Sequence, residues 1–109
     1  MPASGLEPAY GYLRVHEASL EEVALLEKQL KEYAEAHNLN LRQIYHERHS
    51  TLRVGGLGDW LVEGGVQHLI VPSMDHVSEH PIARLVFYEA VCLDARAEVH
   101  EACPLLADE

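Results

Sequence analysis

Gly64-Gly65-Val66-Gln67-His68-Leu69-Ile70-Val71-Pro72 is the stretch that decides the fold. A paired-glycine turn precedes three consecutive apolar residues, and a proline ends the run, so Val66–Val71 reads as the most deeply buried strand of the chain. On its amino side, Leu57–Glu63 reads as a short amphipathic helix with Leu57, Trp60 and Leu61 inward, stopped by Gly64-Gly65. On its carboxyl side, Pro72–Glu79 reads as a loop. Pro81 then opens a helix whose inner side is expected to hold Ile82, Leu85, Val86, Tyr88 (or Phe87) and Val91. Ala97–His100 reads as a last short strand. Further out, residues 46–56 form a polar loop, and Leu39–Tyr45 alternates as a strand with one buried and one wet face. Ser19-Leu20-Glu21-Glu22 is a capping box that starts a helix striped by Leu20, Val23, Ala24, Leu26, Leu30, Tyr33 and Ala34 and ended at His37-Asn38. Tyr10–Val15 is the first strand. Strands alternating with helices imply an α/β three-layer sandwich, built on a mainly parallel sheet of four to five strands with helices on both faces. Residues 1–8 are expected to be a flexible leader, 9–103 the single domain, and 104–109 an acidic tail.

Composition narrows the function. With 48% hydrophobic and 24% charged residues the chain has the balance of a folded globular domain, not of a disordered one. Its net charge of −10 opposes long-range attraction to a phosphate backbone, which argues against free-standing nucleic-acid binding. No apolar run reaches the roughly 18 residues of a membrane span. Met1–Pro8 lacks the basic start and apolar middle of a signal peptide. Cys92 and Cys103 have neither CxxC nor zinc-type spacing and read as reduced thiols of a cytoplasmic protein. Gly55-Gly56 and Gly64-Gly65 read as turns, because no Lys-Ser/Thr follows to make a phosphate loop. Trp60, Leu57 and the Leu85, Tyr88 and Tyr33 group are expected in the core; any of them left exposed would mark a partner surface.

In doubly wound sheets, ligands gather beyond the carboxyl ends of the strands, where strand order reverses. That places candidate chemistry on His16-Glu17, on His46–Arg53 and on Ser73–His80, segments holding His16, His46, His49, His76 and His80. His76 and His80, four apart, and the His46-x-x-His49 pair have spacings compatible with a metal. Candidate ligands are His16, His46, His49, Asp75, His76 and His80. The simpler alternative is neutral histidines on surface loops.

The same segments carry a family resemblance. Tyr12-Leu13-Arg14-Val15 resembles the Y-x-R-V-S strand of the serine recombinase (resolvase/invertase) catalytic domain. Gln29-Leu30-Lys31-Glu32-Tyr33-Ala34 is similar to its Q-x-x-x-L-x-x-Y-A helix. Ile44-Tyr45-His46-Glu47 is similar to its I-Y-x-E/D strand end, followed here by Ser50-Thr51. Gly64–Asp75 is similar to its G-G-V-D-x-L-V-V-x-x-L-D. The resemblance runs from about residue 10 to about residue 100 and implies a resolvase-like, flavodoxin-like winding. It also implies chemistry in which a serine oxygen attacks a DNA phosphodiester inside a ring of arginines.

This chain departs from that pattern. The position of the attacking serine is His16. In the family's D-R-x-x-R loop the aspartate matches Asp75, but the two arginines fall on His76 and Glu79. Arg14 is kept, and a further arginine corresponds to Arg48 or Arg53. A hydroxyl is lost, and one charge is reversed where a phosphate would sit; opposed unit charges about 4 Å apart interact by about 4 kcal/mol at an effective dielectric near 20. Arg14 is expected to pair with Asp75 or Glu79. The family grips DNA through a long helix and a separate module after this domain, whereas here an acidic Leu105–Glu109 closes the sequence. The expectation is therefore a catalytically disabled, non-enzymatic recombinase-like domain, without cofactor, serving as a protein-interaction or regulatory module that binds a protein partner or itself. Isolated, it is not expected to bind DNA or membrane. The alternatives are a DNA-associated recombinase domain, and a metal-dependent or phosphate-handling enzyme using the histidine-rich cleft.

Overall fold

A computed structural model of the chain describes residues 6–16, 18–48, 56–78 and 80–102, the side chains of Asp75 and Asp94 excepted. Strands β1 (Glu7–Arg14), β2 (Leu39–Glu47), β3 (His68–Val71) and β4 (Glu98–Glu101) form one sheet in the order β2-β1-β3-β4. Every pairing is parallel, which is the doubly wound architecture expected from alternating strands and helices. Helix α1 (Leu20–Ala36) covers one face of the sheet, packing Leu30 and Ala34 on Ala9, Leu13, Leu39 and Ile70. The other face carries α2 (Leu57–Glu63), the short α3 (Met74–Val77), and α4 (Pro81–Glu89) with its π-helical extension Ala90–Asp94. Their Leu57, Leu61, Val77, Phe87 and Val91 meet Tyr10, Tyr12, Leu69 and Val71.

The expected helix signals are present. Ser19 Oγ accepts from the Glu22 amide at 3.1 Å while Glu22 Oε1 accepts from the Ser19 amide at 3.0 Å, so both halves of the capping box are made. Asn38 adopts φ 58° at the end of α1, the left-handed turn expected of an asparagine there.

Five expectations need correction. Strand β1 begins at Glu7, so Glu7 and Pro8 belong to the sheet and not to a leader; parallel pairing with Leu39 and Asn40 extends it. The loop after β3 contains a helical turn, α3, because Ser73 Oγ accepts from the His76 amide at 3.1 Å and Glu101 Oε2 accepts from the Met74 amide at 2.9 Å. Helix α4 turns Phe87, Ala90 and Val91 inward and leaves Ile82 77%, Leu85 57%, Val86 43% and Tyr88 47% exposed. Apolar residues surround that helix on nearly every side, so periodicity alone could not choose its face. In α1, Leu20 and Ala24 likewise face solvent.

The remaining difference sets up the site. Strand β2 does not simply alternate: Ala9 pairs with Leu41 but Tyr10 with Gln43, so Arg42 is an extra residue, a bulge. Before it, Leu39 and Leu41 face α1; after it, Ile44 does. Tyr45 and Glu47 are thereby turned to the opposite face, beside Tyr12 and Arg14.

Candidate functional site

Strand order reverses at β1, between β2 and β3, and β1 pairs with β3 only at Tyr10–Leu69 and Gly11–Ile70. Beyond Gly11 the two strands part, and α3 lies in the opening. The Arg14 backbone N–H donates to His76 Nε2 at 2.9 Å, and Arg14 Nη1 donates to the Val77 carbonyl at 3.0 Å. Arg14 thus fastens α3 across the carboxyl end of β1. The guanidinium contact described is to a backbone carbonyl; the Asp75 and Glu79 side chains, its expected partners, lie outside the described residues.

Behind Arg14 the bulge has placed Glu47, which is fully buried and opposite Arg14 in register. The β1–β2 ladder continues past it, Val15 N–H donating to the Glu47 carbonyl at 2.9 Å. Tyr12 is also fully buried; it stacks on Tyr45 at 5.8 Å and meets Phe87 edge-on at 5.0 Å. Its hydroxyl has no hydrogen-bond partner among the described residues. Burial first, and then the negative charge of Glu47, raise the Tyr12 pKa above the ordinary phenol range, with Arg14 opposing. The pattern put Tyr12 in the first strand and Glu47 in the polar loop 46–56, with no individual role for either; β2 in fact runs to Glu47. The acid position of the I-Y-x-E/D resemblance, matched by Glu47, was the available signal.

The expected site residues separate into groups. His16 occupies an exposed turn directly after β1, and His76 lies on α3 against Arg14. Asp75 is on α3, whose N-cap is Ser73. His80 is the exposed N-cap residue of α4. His46 is on the other face of the sheet, its Nε2 2.6 Å from Glu27 of α1. Arg48 follows β2, while His49, Arg53 and Glu79 lie outside the described residues. The carboxyl end therefore brings together Arg14, His16 and His76, but not His46.

Burial, and after it the positive charge of Arg14, push the His76 pKa below the ordinary histidine value. The hydrogen bond agrees, since an Nε2 that accepts from an amide carries no proton. A histidine with a depressed folded-state pKa binds its proton better once unfolded. Stability is then complete above the unfolded value of about 6.5 and declines as pH falls below it. Denaturant titrations at pH 7.5 and 5 should show a loss at the lower pH that is smaller in His76→Gln, whose amide oxygen can still accept from Arg14. An identical loss in both proteins would assign the acid sensitivity elsewhere.

Chemically, the described residues around α3 bring the Arg14 guanidinium and the His76 imidazole together in front of the buried Glu47 carboxylate, with His16 on the turn after β1. The two hydroxyls that flank α3, Ser73 and Ser78, are buried and accept from the His76 and His80 amides, each at 3.1 Å.

No protein-family model matches the sequence, and no curated protein does. Among solved structures, the chain is similar to the crystal structure of the C-terminal catalytic domain of ISC1926 TnpA, an IS607-like serine recombinase. The TM-score is 0.71 at 18% identity, over 91% of this chain and 72% of that one. The likeness is one of fold, and the fold is serine-recombinase-like.

Proposed function

We propose that the chain is a recombinase-like domain without the strand-cleaving chemistry, acting as a protein-interaction or regulatory module in the cytoplasm. The observation that carries this reading is the state of the cleft beyond β1. His16 stands at the position matched to the attacking serine, and the Arg14 guanidinium is engaged with the Val77 carbonyl. A nucleophile and a field of several cations are the two things phosphodiester attack requires. The apolar face of α4 supports the interaction role: Leu85 and Tyr88, expected in the core, are exposed beside Ile82 and Val86. Of the described residues no helix is long and apolar enough to cross a membrane.

The test is to incubate the full chain with supercoiled DNA and look for a covalent protein–DNA adduct on a denaturing gel. None is expected, either from the unmodified chain or from His16→Ser with His76→Arg and Glu79→Arg. An adduct from the unmodified chain would overturn the reading. Sedimentation over a range of concentrations should show a rising mass that Leu85→Glu suppresses. A second reading, a DNA-associated recombinase domain, is favoured by the likeness to a catalytic domain. It requires DNA binding that weakens steeply with salt.

A further inference from the structure

The amino edge of the sheet, opposite the cleft, gathers side chains that neither reading uses. In a parallel sheet all strands begin at one edge, so Glu7, His68 and Glu98 open β1, β3 and β4 side by side. His68 pairs with Glu98 and Ile70 with His100. Ile70 packs on the α1 face, and period-two alternation puts His68, Glu98 and His100 there with it. Helix α1 runs back against the strands, so its last turn, with Tyr33, arrives at the same edge.

The contacts there form an ordered chain. His68 Nε2 is 2.6 Å from Glu7 Oε1, His68 Nδ1 is 2.9 Å from His100 Nε2, and His100 Nδ1 is 3.0 Å from Tyr33 Oη. Glu98 Oε1 lies 3.5 Å from His68 Nδ1 and 3.7 Å from His100 Nε2. Thus one nitrogen of each imidazole and one carboxylate oxygen make a triangle with edges of 2.9, 3.5 and 3.7 Å.

We infer that this triangle is a divalent transition-metal site, of the zinc class, with His68 Nδ1, His100 Nε2 and Glu98 as protein ligands and a fourth position open to water. Three arguments support it. A tetrahedral ion with bonds of 2.0–2.1 Å requires ligand–ligand edges of roughly 3.3 Å, close to those present. Each imidazole nitrogen pointing away from the triangle already has an outer partner, Glu7 for His68 and Tyr33 for His100. Such partners hold metal-binding histidines in the correct tautomer and orientation. The site also sits at the carboxyl end of α1, whose dipole is negative there and whose last turn carries no basic residue.

The proton inventory is consistent. Without metal, Tyr33 O–H donates to His100 Nδ1, His100 Nε2–H donates to His68 Nδ1, and His68 Nε2–H donates to Glu7. With metal, the His100 proton moves from Nε2 to Nδ1 and donates to Tyr33. Both rings stay neutral, and no hydrogen bond to an outer partner is lost. The His68 and His100 side chains are 13% and 20% exposed and Glu98 is 74% exposed, which leaves one open side for the ion to enter. None of these residues was singled out in the sequence, where they are scattered among unremarkable strand ends.

The test uses the full chain stripped of metal by chelation. Calorimetric titration with Zn²⁺ should give one equivalent bound. Co²⁺ should give the intense visible bands of four-coordinate geometry, and the imidazole ¹⁵N spectrum should show the His100 tautomer change. His68→Ala and His100→Ala should abolish binding. Glu98→Gln, at an exposed position that does not endanger folding, should weaken it at least about tenfold, and Glu7→Gln by about ten- to a hundredfold. His46→Ala, against Glu27 and away from the triangle, should leave it intact. Failure of the unmodified chain to bind one equivalent would overturn the proposal, as would full affinity retained in Glu98→Gln. Because the cleft beyond β1 is untouched by these substitutions, neither result bears on the absence of DNA cleavage.

Discussion

Phe87→Ala is expected to cost about 3–5 kcal/mol of stability, the range for emptying a fully buried aromatic site. Phe87 is wholly buried, meets the Tyr12 ring edge-on at 5.0 Å, and packs among Leu61, Val77 and Val91. Domains of this size hold about 5–15 kcal/mol in total, so the variant should melt at least about 10 °C lower. Leu85→Ala supplies the contrast. It sits two residues earlier on the same helix but 57% exposed, and should change stability by no more than about 0.5 kcal/mol. Chemical denaturation of the two variants measures which side of α4 is the core. A larger loss for Leu85→Ala would mean that the helix turns its other face inward.

Gly64→Ala should be the second most damaging change, at about 1–3 kcal/mol, for a purely steric reason. With φ −80° at Gly64 the backbone accepts alanine without strain. A Cβ there would overlap the Tyr10 phenol oxygen and lie 2.7 Å from its Cζ and 3.0 Å from its Cε2. The ring has little room to retreat: Tyr10 is 6% exposed and stacks on Trp60 at 4.2 Å. Tyr10→Leu removes the phenol and should rescue part of the loss, giving a clear coupling energy in a double-mutant cycle. Strict additivity of the two substitutions would show that the ring is not the obstacle.

The limits of reading by pattern are visible in β2 and α4. In β2 the expected alternation is broken by one residue, Arg42, and everything downstream changes face. No local propensity marks that bulge. It follows from matching β2 to β1 beneath α1, where Gly11 lets Leu30 approach so closely that a Cβ would stand 2.9 Å from its Cδ1. The consequence is functional, since the slip turns Glu47 toward the Arg14 side of the sheet. In α4 the apolar residues surround the helix, and the choice of Phe87 over Tyr88 came from the shape of the space above Tyr12.

The candidate cleft was partly legible. Arg14 was named from the family resemblance; His16 and His76 could be named in advance because sites at strand carboxyl ends follow from topology, and topology followed from alternating strands and helices. That Arg14 would bind the Val77 carbonyl could not, because it depends on α3 folding into the gap where β1 and β3 separate.

Local interactions are written in neighbouring residues, and those the sequence determined by itself: the Ser19–Glu22 cap, the left-handed Asn38, the order of strands and helices, and so the parallel sheet. Contacts between distant positions belong to the tertiary structure alone. It selected the buried face of α4, shifted β2 by a residue, and drew Glu7, Tyr33, His68 and His100 into one chain of hydrogen bonds. The physical reason is that a strand start has no periodicity of its own. Which side chains meet there depends on strand order and register, and both are set by how the whole core packs.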